Sequence, residues 1–360
     1  MTKNIAIIGA GPSGLLAAIY LRSHGMDVTL IGPEPKSIKG MVYALHPGNI
    51  ARLHTLQIYL DSQPVTQMTL QPFSQELSIH AKQSKHSALC YIVTHQELLA
   101  KLKAKRRELD IPWAKSLPKS ITPNTIKIST SGTTSEIKAS HILACDGNKS
   151  WTRAQTPIPC SQHDYQQTAH TAIVTHTEKL RLAYQRFDNQ GTLALLPTKN
   201  PHQSALILSC TEALHQEVTQ NGLKAALTPL TSLGHIIDIQ HQSATPLKLQ
   251  LANSFHYGRI YLIGNAAHTI HPLAGVGFNL AISDIHTACE HILADLPASH
   301  YSLKRRFAHQ KAHWVTHTIA CNQHIDKVGA LALVKLTTNA LTLPSLQKKI
   351  LSHVEQICLL

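Results

Sequence analysis

Aromatic residues are scarce in this 360-residue chain, at 5% of positions, and its 20 acidic residues are outnumbered by 33 Lys and Arg. The shortage of aromatics, with no nucleic-acid motif in view, argues against base-stacking recognition of nucleic acid. Cysteine is sparse too: the seven, at 90, 145, 160, 210, 289, 321 and 358, are odd in number and form no C-x-x-C pair. That excludes a disulfide scaffold and a zinc module and fits reduced, cytosolic thiols. No apolar run approaches the roughly 20 residues that span a bilayer. Lys3 and the apolar stretch after it mimic a signal peptide, but glycines at 9, 11 and 14 explain that stretch better and no small-residue cleavage site follows. There is no internal repeat, no Ser-His-Asp arrangement and no paired carboxylate.

What is present is enough apolar residue, 43%, to bury a sizeable core, which excludes disorder. The length exceeds one ordinary domain and falls short of three. A formal charge of +13 alongside 25 histidines favours an anionic partner: nucleic acid, a phosphate-bearing ligand or an acidic membrane surface.

Asn4–Ile8 is a short apolar run ending in Gly9, as a buried parallel strand would be. Residues 14–24 follow with a broad apolar face and stop at Gly25, and residues 28–31 form a second buried strand. This β-turn-α-turn-β unit opens a doubly wound sheet. Residues 46–90 give weak periodicity. Thr94 to Glu97 spells a capping box ahead of a leucine-lined helix. Strands are predicted at 126–128 and 141–145, then short alternating segments over about 156–254, clearest at 193–196 and 205–209, which suggests a mainly antiparallel insert. A buried strand at 259–263 and an Ala/Ile-rich helix from about 278 to 293 resume the first sheet. The fold expected is α/β: a discontinuous Rossmann-like domain (1–65, 90–155 and 255–330), an inserted substrate domain (66–89 and 156–254) and a helical tail (331–360).

Gly9-Ala10-Gly11-Pro12-Ser13-Gly14 is G-x-G-x-x-G between strand and helix. Gly9 permits the turn, Gly11 lets the backbone approach a pyrophosphate, and Gly14 lets helix and strand pack closely. The diphosphate then sits on a helix N-terminus, where unpaired N–H groups favour negative charge. The ribose-binding acid is missing from its usual place, which holds Gly32; Glu34, two residues on, is the substitute.

Two further motifs are Asp146-Gly147-x-x-Ser150-x-x-Arg153 and Gly264-Asn265-Ala266-Ala267-His268, the latter followed by Pro272, Gly275, Gly277, Phe278 and Asn279. In this order and spacing they resemble the flavoprotein aromatic hydroxylases, FAD monooxygenases of the para-hydroxybenzoate hydroxylase type. They are closest to the branch that oxidises polyprenylated phenols in ubiquinone biosynthesis, of the 2-octaprenyl-6-methoxyphenol hydroxylase kind. The resemblance spans almost the whole chain. It implies FAD as cofactor, NAD(P)H as a transient electron donor, O2 as co-substrate, and ring hydroxylation through a flavin C4a-hydroperoxide. It implies that Asn265, where most relatives carry Asp, meets the ribityl chain, and that Gly275 and Gly277 let a loop lie against the flavin. Backbone N–H groups near Gly277, Phe278 and Asn279 would face the flavin N1/O2 edge, where negative charge gathers on reduction. Asp146 would lie near the diphosphate, with Ser150 and Arg153 orienting its loop; alternatively Asp146 only caps the turn after its strand.

Pocket candidates are His268 and Pro272. His268-x-x-His271 has no Cys or carboxylate partner nearby and does not make a zinc site, so no metal is expected. Relatives usually carry Arg where Met41 stands; Arg52, Lys39 and Glu34 are the candidates to compensate. The basic excess over residues 82–138, +7, reads as a solvated helix face or as a docking surface for anionic lipid or an acidic partner. The apolar tail reads as packing or as a contact with the inner face of the membrane or with other ubiquinone-biosynthesis proteins. The competing function is a non-catalytic structural member of a quinone-biosynthesis assembly whose flavin site has decayed.

Overall fold

In Asn4–Ile8 every side chain after the first is buried, as a central strand covered on both faces requires. The computed structural model, which describes residues 3–72, 76–122, 125–130, 133–227 and 235–322, places this strand between Asp27–Ile31 and His141–Ala144, parallel to both. Ile260–Leu262 and Trp113–Ala114 extend the parallel sheet outward, and His256–Tyr257 adds an antiparallel edge. Ile5, Ile7, Leu30 and Leu143 are fully buried in its main core. Each such side chain contributes about 1.5–3 kcal/mol of transfer free energy.

Helix Pro12–Ser23 crosses over this sheet with Pro in its first turn and packs against helices His95–Glu108 and Val276–Leu293. His95–Glu108 starts as the capping motif predicts, Thr94 Oγ1 accepting from Glu97 N at 3.1 Å. The reciprocal arm differs: Glu97 Oε1 accepts from the Asp61 backbone at 2.9 Å. A tertiary contact has taken the side chain that the local motif would have used.

The insert is an eight-stranded sheet, joined by Gln67–Pro72 and Leu77–His80 at one edge and His268–Thr269 at the other. Its pairings are antiparallel except Ala183–Asp188 with Gln67–Pro72. The short segments expected here are in fact two 17-residue strands, Cys160–His176 and Ile236–Ala252, among shorter ones. Bulges between Asp164 and Thr168 and between Thr171 and Ile173 shift the register. Each shift breaks the apolar–polar alternation that would have revealed a single strand.

One face of the insert packs Ala172, Val174, Leu193, Leu195, Leu206 and Leu208 beneath the helices Glu212–Asn221 and Leu223–Leu227. The other face carries the cross-strand rows Thr171–Ile207–Ala194 and Ile173–Ala205–Leu196. Leu196 there packs against Val65, Ile92 and Ala183, the same cluster that Val42 and Ala44 cover.

Ala298–Asn322 is a 25-residue helix that the sequence pattern does not announce. Its buried positions are Tyr301, Ser302, Arg305, Ala308, His309, Ala312 and Thr316, whereas Leu303 and Phe307 are exposed. A helix whose inner face is largely polar gives no apolar stripe to find. The tail at 331–360 lies outside the described residues. Among the described residues, no helix is long and apolar enough to cross a membrane.

Candidate functional site

The three motifs leave the same edge of the parallel sheet. Ile8 runs into Gly9, Ala144 into Cys145 and Asp146, and Leu262 into Ile263 and Gly264. All sit at the carboxyl ends of adjacent parallel strands, where open α/β sheets bind ligands.

Two glycines of the first turn are dictated by contact. Gly9 has φ +104°, and a Cβ there would fall 2.4 Å from Cys145 O; a Cβ on Gly14 would fall 1.7 Å from Gly9 O. Gly11 differs, since a Cβ on it would meet nothing within 4 Å, and the same is true of Gly147 and Gly277. Thus each of the three motifs has a bare backbone patch facing open space. Gly11 caps helix Pro12–Ser23 and Gly275 caps Val276–Leu293, neither with a side-chain hydrogen bond. Both helix N-termini therefore keep free donors for an anionic group. Asn265 is exposed on the third turn. The bare backbone, two open helix ends and an amide side chain suit a long, anionic dinucleotide such as FAD. Pro12 and Ser13, both half-buried, form the first turn of their helix.

The second motif is largely self-bonded. Asp146 Oδ1 accepts from Ser150 Oγ at 2.6 Å and Oδ2 from Thr152 N at 2.8 Å, while Ser150 Oγ accepts from Arg153 N at 2.9 Å. Asp146 thus braces the turn that Ser150 caps. Arg153 reaches out, donating to Ala266 O at 2.7 Å and Asn148 O at 3.0 Å. It ties the second motif to the third.

Asn279 is a buried staple at the start of helix Val276–Leu293. Its Oδ1 accepts from His46 N and Asn49 Nδ2, and its Nδ2 donates to Ala44 O and Gly275 O. Phe278 packs on Tyr43, ring centroids 4.6 Å apart. Gly275, at φ +61°, lies so close to Ala44 that a Cβ would come within 3.1 Å of it. Pro272 is half-buried at the head of the turn before Gly275.

His268 is a correction: it is fully buried, 3.4 Å from Asp284 and in tilted ring contact with His309, and forms no pocket wall. His271 points elsewhere, Nε2 lying 3.0 Å from Gln167 Oε1 of the insert. Burial pushes its imidazole down to about 4, so it is neutral at ordinary pH. The two histidines thus face different partners, His268 towards Asp284 and His271 towards Gln167.

Glu34 is exposed between two lysines. Its carboxylate binds Lys115 at 2.8 Å and Lys103 at 3.0 Å, and these lysines hold its pKa down to about 2. The side chain expected to replace the missing ribose contact is committed to two cations. Arg52 does not fill the place of the missing arginine either, since it donates to Asn49 Oδ1 and Ser283 Oγ. Met41 is partly exposed and Lys39 exposed. The basic helix is largely paired: Lys103 with Glu34, Lys105 with Glu108 and Gln57, and Arg106 over the Trp113 ring.

Asp284, Arg305 and His309 form a buried cluster, bonded to Gly264 of the third turn, that motif reading passed over. Their one sequence signal is an acid at 284 in the apolar middle of helix Val276–Leu293, whose other acid, Glu290, stands near its end.

Comparison with known proteins places this geometry. A family described as FAD binding domain matches residues 48–317, and an NAD(P)-binding Rossmann-like domain matches residues 7–43. The chain is 24% identical to ubiquinone hydroxylase UbiM of Neisseria meningitidis over 81% of this chain and 68% of the relative. It is 24% identical to ubiquinone hydroxylase UbiL of Rhodospirillum rubrum, over 81% and 72% respectively. Among solved structures it superposes on p-nitrophenol 4-monooxygenase PnpA from Pseudomonas putida with a TM-score of 0.84 at 16% identity, covering 99% of this chain and 98% of the other.

Proposed function

The chain belongs to the FAD binding domain family, and from that premise we propose that it is an FAD-dependent monooxygenase that hydroxylates the aromatic ring of a polyprenylated phenol in ubiquinone biosynthesis. The observation that carries this reading is the convergence of three glycine-bearing turns on one sheet edge, in a chain aligned over four-fifths of its length with two ubiquinone hydroxylases.

When bound, FAD supplies the two-electron chemistry that activates O2 for transfer of one oxygen atom to the ring. The protein's part is binding, orientation and exclusion of water. Gly11 and the N-terminus of Pro12–Ser23 would hold the diphosphate, on a turn that the close contacts of Gly9 and Gly14 make possible. Asn265 would meet the ribityl chain and Gly147 would leave room for the cofactor beside it, with Arg153 bracing the turn between them. The open N-terminus of Val276–Leu293, at Gly277 and Phe278, would hold the anionic end of the flavin ring and favour its negative charge on reduction. The half-buried face of the insert, with Ile173, Ala194, Leu196 and Ile207, walls an apolar pocket for the phenol and the start of its prenyl chain. NAD(P)H is the proposed donor, visiting transiently because the chain carries a single G-x-G-x-x-G. The basic surface is the proposed contact with the inner face of an anionic membrane, where the lipid-tailed substrate resides.

Gly32, Met41 and the engaged Glu34 favour a second reading, a structural member of a quinone-biosynthesis assembly with a weakened cofactor site. One experiment separates the two. A deletion strain is expected to accumulate a phenolic precursor lacking one hydroxyl, and the wild-type gene to clear it. Gly11→Val, which blocks the cofactor turn, is expected not to clear it. Full restoration by Gly11→Val supports the structural reading, and an unchanged quinone pool in the deletion strain contradicts both.

A further inference from the structure

Asp284 is a fully buried carboxylate in the middle of helix Val276–Leu293, and the three charged or ring side chains around it, His268, Arg305 and His309, are fully buried as well. Its Oδ1 accepts from Arg305 Nε at 2.6 Å and His309 Nε2 at 2.7 Å. Its Oδ2 accepts from the Gly264 backbone N–H at 3.0 Å and lies 3.4 Å from His268 Nε2. The His268 and His309 ring centroids lie 3.8 Å apart, with their planes tilted by 36°.

His268, Asp284 and His309 lie close enough together to suggest a cation site. The bonding excludes it. One carboxylate oxygen is already shared by two donors, the other is held by Gly264, and the Arg305 guanidinium already balances the charge. A metal would have to displace that guanidinium from a sealed interior.

Stability alone explains the cluster poorly, because a buried ion pair commonly contributes no more than well-packed apolar side chains would. The informative bond is the one to Gly264. This residue has φ +56°, and its N–H is held by Asp284 at the start of the turn that leaves Asn265 exposed. The same long helix, Ala298–Asn322, holds the strand leading into that turn. Tyr301 Oη donates to Leu262 O at 2.7 Å, and Ser302 Oγ accepts from Phe255 N at 2.9 Å. Arg153 braces the far side of the turn through Ala266 O.

We propose that Asp284, backed by Arg305 and His309, is a positioning residue that presets the Gly264-Asn265 turn for FAD, so that the Ala298–Asn322 helix controls how tightly and in what environment the flavin is held. None of the three touches the cofactor; they act through the Gly264 amide and the His268 ring.

The test uses the full-length protein and needs no substrate, so it succeeds or fails independently of the phenol-hydroxylase reading. Asp284→Asn paired with Arg305→Met removes the two charges together and leaves neither stranded. The pair is expected to fold, to bind FAD at least tenfold more weakly, and to shift the visible absorption of bound flavin. Arg305→Lys, which keeps the charge but not the Nε geometry, is expected to lie between the pair and the wild type. Leu208→Ala, in the core of the insert, serves as the control: it is expected to lower the melting temperature while leaving FAD affinity and spectrum unchanged. A folded double variant with wild-type affinity and spectrum overturns the proposal. If the double variant does not fold, wild-type affinity and spectrum in Arg305→Lys overturn it equally.

Discussion

Single glycines decide two different properties of the cofactor turn. Gly14 leaves no room for a Cβ, so Gly14→Ala must push helix Pro12–Ser23 off the sheet. Its expected cost is about 1–3 kcal/mol of overpacking or more, read from denaturant unfolding of the apoprotein. Gly11 faces open space with an extended backbone, so Gly11→Ala is expected to leave apoprotein stability within about 0.5 kcal/mol and weaken FAD binding in a titration. Reversed effects in the two variants would contradict the assignment. These roles were legible in the spacing, because G-x-G-x-x-G encodes a backbone geometry that only local sequence determines. Glu34 was not legible: its position two residues past the strand is right, but the lysines that capture it come from residues 103 and 115, and no local rule foresees them. His268 misled for the same reason, since its partners lie 16 and 41 residues further along.

At the scale of elements, the parallel sheet was readable because buried parallel strands are continuous apolar runs. The insert was readable only in class. Its two longest strands are bent by bulges, and a one-residue slip exchanges the faces on which apolar residues stand. The Ala298–Asn322 helix escaped because Tyr, Ser, Arg and His make its buried face. The apolar rows on the open face of the insert carry their own expectation. Ile207 sits half-buried between Thr171 and Ala194 in one row. Ile207→Ser is expected to raise KM for a polyprenylated phenol severalfold while leaving the FAD dissociation constant unchanged. A change in FAD binding with no change in KM would move the substrate away from this face.

For the whole molecule, the abundance of histidine makes stability depend on pH. Burial pushes His141 and His271 down to about 4 and His309 down to about 3. In the unfolded chain each regains an ordinary pKa near 6.5. From about pH 6.5 down to about 4, therefore, the unfolded chain takes up protons that the folded chain excludes. Stability fully present above that window is lost as pH falls through it, by up to about 1.4 kcal/mol per pH unit for each histidine. Urea midpoints are expected to drop clearly between about pH 7 and about pH 5, above the range where carboxylates titrate; a flat profile there would show that these rings are accessible in the folded state. The +13 charge, which at first admitted nucleic acid, is consistent with a diphosphate cofactor and an anionic membrane surface. The central claim is oxygen insertion into a lipid-tailed phenol, and its most direct measurement is isotopic. The FAD-loaded protein is supplied with NAD(P)H, a polyprenylated phenol and 18O-labelled O2, and the product is weighed by mass spectrometry. One labelled oxygen atom on the ring is the expected result. NAD(P)H consumption with unlabelled or unchanged phenol, from protein that retains its flavin, would contradict the claim.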